Sequence, residues 1–232
     1  MIENILDRLK ADIRFQEGLT SCMNCGICTA ICPAAEFYKY DPRVICNIVQ
    51  SRNINEIEQL LKGDEIWYCG QCMSCKTRCP RGNAVGMVIT VLRKLSQETG
   101  YFVESEKGRQ QFAIEKAVGQ NIINQGYCVH PDIATYENHP EQGPVWKWYL
   151  DNIEELSTKM GAIYKQRGAG ALRDVGEENL DEIKKIFEVT GGMAFYDNIE
   201  QASQKAAEEL GVDFQEEYFM KVYSENSGNH NR

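Results

Sequence analysis

One cysteine pattern occurs twice, as Cys22-x2-Cys25-x2-Cys28-x3-Cys32-Pro33 and again as Cys69-x2-Cys72-x2-Cys75-x3-Cys79-Pro80. Three thiolates spaced by two residues wrap one corner of a cubane and leave one iron without a protein ligand, so a distant fourth cysteine must reach it. In two-cluster ferredoxin runs of this spacing the fourth cysteine ligates the other cluster. The expected ligand sets are therefore Cys22, Cys25, Cys28 and Cys79 for one [4Fe-4S] cluster, and Cys69, Cys72, Cys75 and Cys32 for the second. The proline after each fourth cysteine is expected to stop the preceding helix and fix the turn that sends the thiolate across.

Zinc and disulfides account for this pattern less well. A tetrahedral zinc site needs two Cys-x2-Cys pairs, which leaves the third close cysteine and the x3-Cys-Pro tail unexplained. A disulfide framework goes with a secretory leader, and the N-terminus does not read as one. At 232 residues the chain can also bury a core without covalent staples.

Charge and hydropathy narrow the function. The chain has 34 Asp and Glu against 25 Lys and Arg, and eight cluster thiolates around two cores of charge 2+ would take the formal charge from −9 to about −13. Nothing then neutralises phosphates, so nucleic acid is excluded as a partner and an anionic membrane surface is disfavoured. The same acidity equally serves plain solubility. The longest apolar runs are too short to span a bilayer, so no membrane insertion is expected and the chain reads as cytoplasmic.

The pattern along the chain is helical throughout, and no stretch alternates with period two for long. Residues 1–17 place Ile2, Ile5, Leu6, Leu9 and Ile13 on one side of an amphipathic helix ended by Gly18. Asp41-Pro42 reads as N-cap and N1 of a helix burying Val44, Ile45, Ile48 and Val49, and Asn53 or Asn55 caps another through Ile57, Leu60 and Leu61 to Gly63. After the second run, Arg81 to Gly100 turns Val85, Val88, Val91, Leu92 and Leu95 to the core. Glu106 to Asn124 is a further helix, Gly126 to Pro144 is irregular, and Trp146 to Gln166 is helical. Arg167 to Gly176 is a glycine-rich connection without the preceding strand that a phosphate loop needs. Helices over Asn179 to Val189 and Asn198 to Leu210 flank Gly191-Gly192, and Ser224 to Arg232 is polar and expected to be disordered. The expected fold class is all-α, with a two-cluster domain over 1–125 and a helical extension for partner contacts over 126–232.

Cys25-Gly26-x-Cys28-Thr29, Cys32-Pro33, Asp64-x-x-Trp67-x-Cys69 and Cys79-Pro80-Arg81-Gly82 together resemble the C subunit of heterodisulfide reductase, over about residues 15–100. The resemblance implies an α-helical ferredoxin domain related to the cluster domain of succinate dehydrogenase iron–sulfur subunits. It further implies a component that passes electrons between the A subunit, which carries flavin and iron–sulfur centres, and the catalytic B subunit. All eight family ligands have counterparts at the cysteines named above. The adjacent cysteine pair that marks the catalytic subunit is absent, as are a dinucleotide fingerprint and a nucleophile with a positioned base, so no catalytic residue is expected. The extension suggests the sulfur-oxidising version of the complex, in which a lipoate-binding protein carries the sulfur. Alternatives are an iron–sulfur subunit of a succinate- or glycolate-type dehydrogenase, and an iron–sulfur redox sensor or scaffold.

Around the ligands, Met23, Ile27, Ile31 and Met73 are expected to exclude water, either as cluster walls or as ordinary core. Trp67 and Tyr68 read as packing, or as a shield or exit path at the second cluster. Cys46 is expected to be a buried inert thiol. Cys128-x-His130 is too small a set for a metal site, and Trp146 and Trp148 divide between core and interface.

Overall fold

The computed structural model describes residues 4–137 and 139–225. Every regular element among the described residues is helical, with no β-strand. The N-terminal segment is two helices rather than one, α1 (Ile5–Ala11) and α2 (Ile13–Gly18). Asp12 makes the break: at φ −78° and ψ 123° its backbone leaves the helix, its N–H closes α1 on Leu9 O, and its carboxylate accepts from Arg14 N at 2.9 Å to cap α2. Capping by a short acidic side chain outcompetes helix continuation here. Leu9 becomes the buried residue, while Ile13, expected on the same apolar stripe, is 60% exposed.

Two four-residue helices, α3 (Ile27–Ala30) and α4 (Ala34–Phe37), bracket Cys32. In α5 (Pro42–Ser51) Asp41 is the N-cap and Pro42 opens the helix, as the sequence predicts. Its core face is Ile45, Cys46 and Val49; Val44 points outward. Asn53, not Asn55, caps α6 (Ile54–Lys62), which buries Ile57, Leu60 and Leu61 and ends at Gly63. The short α7 (Ser74–Arg78) precedes Cys79-Pro80. All of these gather around α8 (Val85–Thr99), whose Val88, Ile89, Leu92 and Leu95 form the centre of the first core, and Gly100 in the left-handed region (φ 78°) terminates it. The buried Ser96 hydroxyl donates to Leu61 O at 2.6 Å, tying α8 to α6.

A second core starts at Phe102. It joins α9 (Glu106–Ile114) to later helices and is followed by α10 (Gln120–Gln125), with one wider turn at Glu115–Gly119 between them. The extension adds α11 (Gly143–Asp151) and α12 (Ile153–Lys159), so the helix expected to reach Gln166 ends at Lys159, before Gly161 at φ 75°. Then come α13 (Glu177–Val189), α14 (Gly192–Leu210) and α15 (Phe219–Ser224). Ile199, Ala206 and Ala207 of α14 and Val222 of α15 close over Phe102 and Phe112 together with the fully buried Tyr218. This core takes side chains from both sides of the expected boundary after residue 125, and it includes α15, a helix beyond those expected from the sequence although Phe214, Tyr218 and Val222 repeat every four residues. The expectation of disorder from Ser224 to Arg232 falls mostly on residues 226–232, outside the described residues; Ser224 itself closes α15.

Glu115 is buried at the wider turn, beside Lys116 and Glu200 and accepting from Gln120 Nε2 at 2.6 Å. Burial, the largest influence, raises its pKa above the ordinary value of 4.5. A raised folded-state value means the fold favours the protonated form, so its contribution is fully present below about 4.5 and lost as pH rises through the folded value. Glu115→Gln should therefore stabilise the chain at pH 7.5, with the gain shrinking as pH is lowered toward 4.5, read as the urea midpoint.

Candidate functional site

The two cysteine runs fold alike. Residues two and four positions after the first cysteine are left-handed in both: Asn24 (φ 60°) and Gly26 (φ 79°) in one, Gln71 (φ 52°) and Met73 (φ 58°) in the other. Each loop turns its backbone inward, and the N–H of Asn24 and of Gln71 donates to the sulfur of Cys22 and of Cys69, both at 3.4 Å. Glycine takes such a conformation freely at position 26, whereas Met73 bears a cost of about 1–2 kcal/mol. Its sulfur lies flat against Gly86 of α8, 2.9 Å from where a Cβ would stand. The chain then enters α3 or α7, with Cys28 or Cys75 in the first turn, and leaves it before Cys32-Pro33 or Cys79-Pro80.

Because α3 packs on α7, the fourth cysteines exchange sides. Cys22, Cys25, Cys28 and Cys79 line one small cavity, and Cys32, Cys69, Cys72 and Cys75 line another. Val85, the first residue of α8, forms a wall of both. Among the described residues no three His, Cys, Asp or Glu side chains are placed to hold a single metal ion; the sulfurs stand apart around each space. Met23 and Ile27 line the first cavity but are 61% and 37% exposed, so they shield it less than expected, while Met73 lines the second.

Electrostatics differ among the thiols. Burial raises the pKa of Cys28 and Cys32, whereas the Ser74 hydroxyl beside the exposed Cys72 lowers its value. Cys46 is 1% exposed, with its pKa driven up by burial, and borders the first cavity as a fifth thiol. Cys128 is exposed and belongs to neither cavity. Two buried polar atoms at the cavities find no oxygen or nitrogen partner among the described residues: Arg43 Nε at the first and the Tyr40 hydroxyl at the second. Eight soft sulfur donors in two sets of four, with polar hydrogens left over beside each, fit an iron–sulfur cluster in each space.

Several residues that hold this arrangement were not legible in the sequence. Asn83 is 3% exposed, accepts from Thr20 N at 3.0 Å and donates to Ser21 O at 2.8 Å, so the segment after Cys79 grips the segment before Cys22. Gln50 accepts from Cys22 N and donates to Cys22 O at 3.3 Å. Arg93 of α8 donates to three carbonyls, Ile66 O (2.7 Å), Trp67 O (2.9 Å) and Cys69 O (2.6 Å), and its guanidinium lies over the Trp67 ring. Tyr68 stacks on Tyr38 with ring centroids 4.5 Å apart and meets Tyr40, which lines the second cavity, edge-on at 6.1 Å. Trp146 is partly buried and donates to Ala134 O at 2.8 Å, whereas Trp148 is 57% exposed.

A 4Fe-4S dicluster domain model matches residues 17–83, the segment that carries both runs. The helical fold and these loops define an iron–sulfur electron-transfer subunit, and none of its helices among the described residues is long and apolar enough to cross a membrane. The chain is 29% identical to the C subunit of the Ferredoxin:CoB-CoM heterodisulfide reductase of Methanosarcina acetivorans, over 82% of this chain and 70% of the relative. It is 31% identical to the protein of the same name from Methanosarcina mazei, over 68% and 85%. It is 30% identical to the iron-sulfur C subunit of the CoB--CoM heterodisulfide reductase of Methanopyrus kandleri, over 59% and 67%. The chain belongs to the family of heterodisulfide reductase C subunits, whose members associate with other subunits of that reductase.

Proposed function

We propose that the chain holds two [4Fe-4S] clusters, one at Cys22, Cys25, Cys28 and Cys79 and one at Cys32, Cys69, Cys72 and Cys75. It relays electrons between the flavin and iron–sulfur A subunit and the catalytic B subunit of a cytoplasmic heterodisulfide reductase-type complex. The observation that carries this reading is the pair of four-cysteine cavities sharing the Val85 wall. When bound, each cluster supplies a one-electron couple. The chain's own residues would ligate through sulfur, hold the loops against α8 and place Val85 between the two sites.

The 191-residue match to the Methanosarcina acetivorans protein reaches beyond residue 125, so the length of the extension does not by itself favour sulfur oxidation over heterodisulfide reduction. Anaerobically reconstituted protein should contain about eight irons per chain, be reduced by a strong artificial donor and be reoxidised by a dye. It should show no turnover of heterodisulfide or of sulfur on a lipoate-binding protein until the catalytic component is added. Turnover by the single chain would overturn the electron-carrier reading.

Partner contacts fall to the extension, where Val145 and Trp148 on α11 are 74% and 57% exposed. Cutting at Gly126 would uncover Phe102 and Phe112 by removing α14 and α15, so a point change is the cleaner probe. Trp148→Ala should weaken co-purification with the other subunits about tenfold or more, the scale of a hot-spot tryptophan, with iron content unchanged; undiminished assembly would remove that role from Trp148.

A further inference from the structure

The four-residue stretch Tyr40–Arg43 reaches both cavities. Tyr40 is 4% exposed, and its buried hydroxyl borders the cavity of Cys32, Cys69, Cys72 and Cys75, where the Cys69 thiol is the only group among the described residues that it turns to. Arg43, three residues on, borders the cavity of Cys22, Cys25, Cys28 and Cys79 with its Nε buried and without a partner among the described residues. A buried polar hydrogen that finds no oxygen or nitrogen acceptor is costly, so two of them within four residues, each at a different cluster cavity, call for sulfur acceptors that the clusters and their ligands would provide.

The surroundings hold both groups in place. The Arg43 guanidinium is anchored through Nη2 to Asp41 Oδ2 at 2.9 Å, and Asp41 is itself fixed by the Thr29 hydroxyl next to Cys28 and by capping α5. With Nη2 held by Asp41 and Nη1 3.9 Å from where a Cβ of Gly26 would stand, the guanidinium lies at the wall of the first cavity with its Nε buried. Tyr40 is wedged edge-on against Tyr68, with the Cys69 thiol as its side-chain hydrogen-bond neighbour.

We infer that Arg43 and Tyr40 are potential-setting donors with one cluster each: Arg43 Nε–H to a sulfur of the first, and the Tyr40 O–H to a sulfur of the second, with Cys69 as the nearest acceptor. The inference rests on the two-cluster reading. A donor to a cluster sulfur stabilises the reduced form, which carries one more negative charge, more than the oxidised form, and so raises the potential. Arg43 adds a whole positive charge to this effect, whereas Tyr40 contributes only a bond dipole. Neither residue is a ligand.

The test is an EPR-monitored redox titration of the full reconstituted chain, with signals assigned by the Cys32→Ser variant. Tyr40→Phe removes one oxygen and keeps the shape. It should move the second cluster's potential negative by about 59 mV, a tenfold change in the one-electron equilibrium, leave the first unmoved, and abolish a solvent-exchangeable proton coupling at the second. Arg43→Gln should move only the first cluster negative, and Arg43→Lys, which keeps the charge on a different donor, should move it less. Full iron content with both potentials unmoved in Tyr40→Phe and Arg43→Gln overturns the inference, as does an equal shift of both clusters in either variant. A wild-type chain that takes up no iron overturns the two-cluster reading first.

Discussion

The Cys32→Ser chain should lose the cluster held by Cys69, Cys72 and Cys75 and keep the one held by Cys22, Cys25 and Cys28, although Cys32 belongs in sequence to the latter run. Cys32 lines the cavity of the second run and Cys79 that of the first. Iron should fall to about four per chain, with one of two reduced-state EPR signals gone. Cys79→Ser should remove the other signal. If Cys32→Ser instead removed the signal that Cys25→Ser removes, ligation would follow sequence order and the exchange would be wrong.

Arg93→Met should be nearly as damaging without touching a ligand. Its guanidinium satisfies the carbonyls of Ile66, Trp67 and Cys69 where the chain enters the second run, and methionine would leave all three unpaired around an apolar stem. At about 1–3 kcal/mol for each buried acceptor left open, a loss of about 3 kcal/mol or more is expected in urea unfolding. The second cluster should be shed on brief exposure to oxidant while the first survives. Arg93→Lys should recover only part of this, since an ammonium cannot spread across three carbonyls as a planar fork does. A stability within about 0.5 kcal/mol of wild type, the scale of an ordinary surface change, would show that Arg93 is only a surface charge.

What the sequence disclosed follows from how local each signal is. Spacing sets which cysteines share a loop, and Asp41-Pro42, Asn53, Gly63 and Gly100 end or begin helices through their own backbone preferences, so these were readable. Asp12 was not, because a run of apolar residues at helical spacing masks a cap that competes with it. Val44 and Ile13 were placed inward by periodicity yet face out, since the face a helix buries is chosen by its neighbours. Asn83, Gln50 and Arg93 act across 24 to 63 residues on backbone groups, and no pattern in their own surroundings announces this. The second core was missed as a unit for the same reason: Phe102 and Phe112 find their cover beyond residue 190.

The crossing of the fourth cysteines also bears on how the protein is made. During synthesis Cys22, Cys25 and Cys28 emerge together, but the sulfur that shares their cavity, Cys79, follows only after α5, α6 and the whole second run. Cys32, by contrast, is already waiting when Cys75 appears. The second cavity therefore acquires its full set of sulfurs before the first, and neither is enclosed until α8, which supplies Val85 to both, has left the ribosome. Iron delivered earlier would meet an open three-thiol loop exposed to oxygen and to competing metals. With two clusters ligated in this crossed way, maturation would be a late event that loads both sites on a chain already past residue 85, and a chain ending between the two runs would lack Cys79, the sulfur that shares the first cavity with Cys22, Cys25 and Cys28.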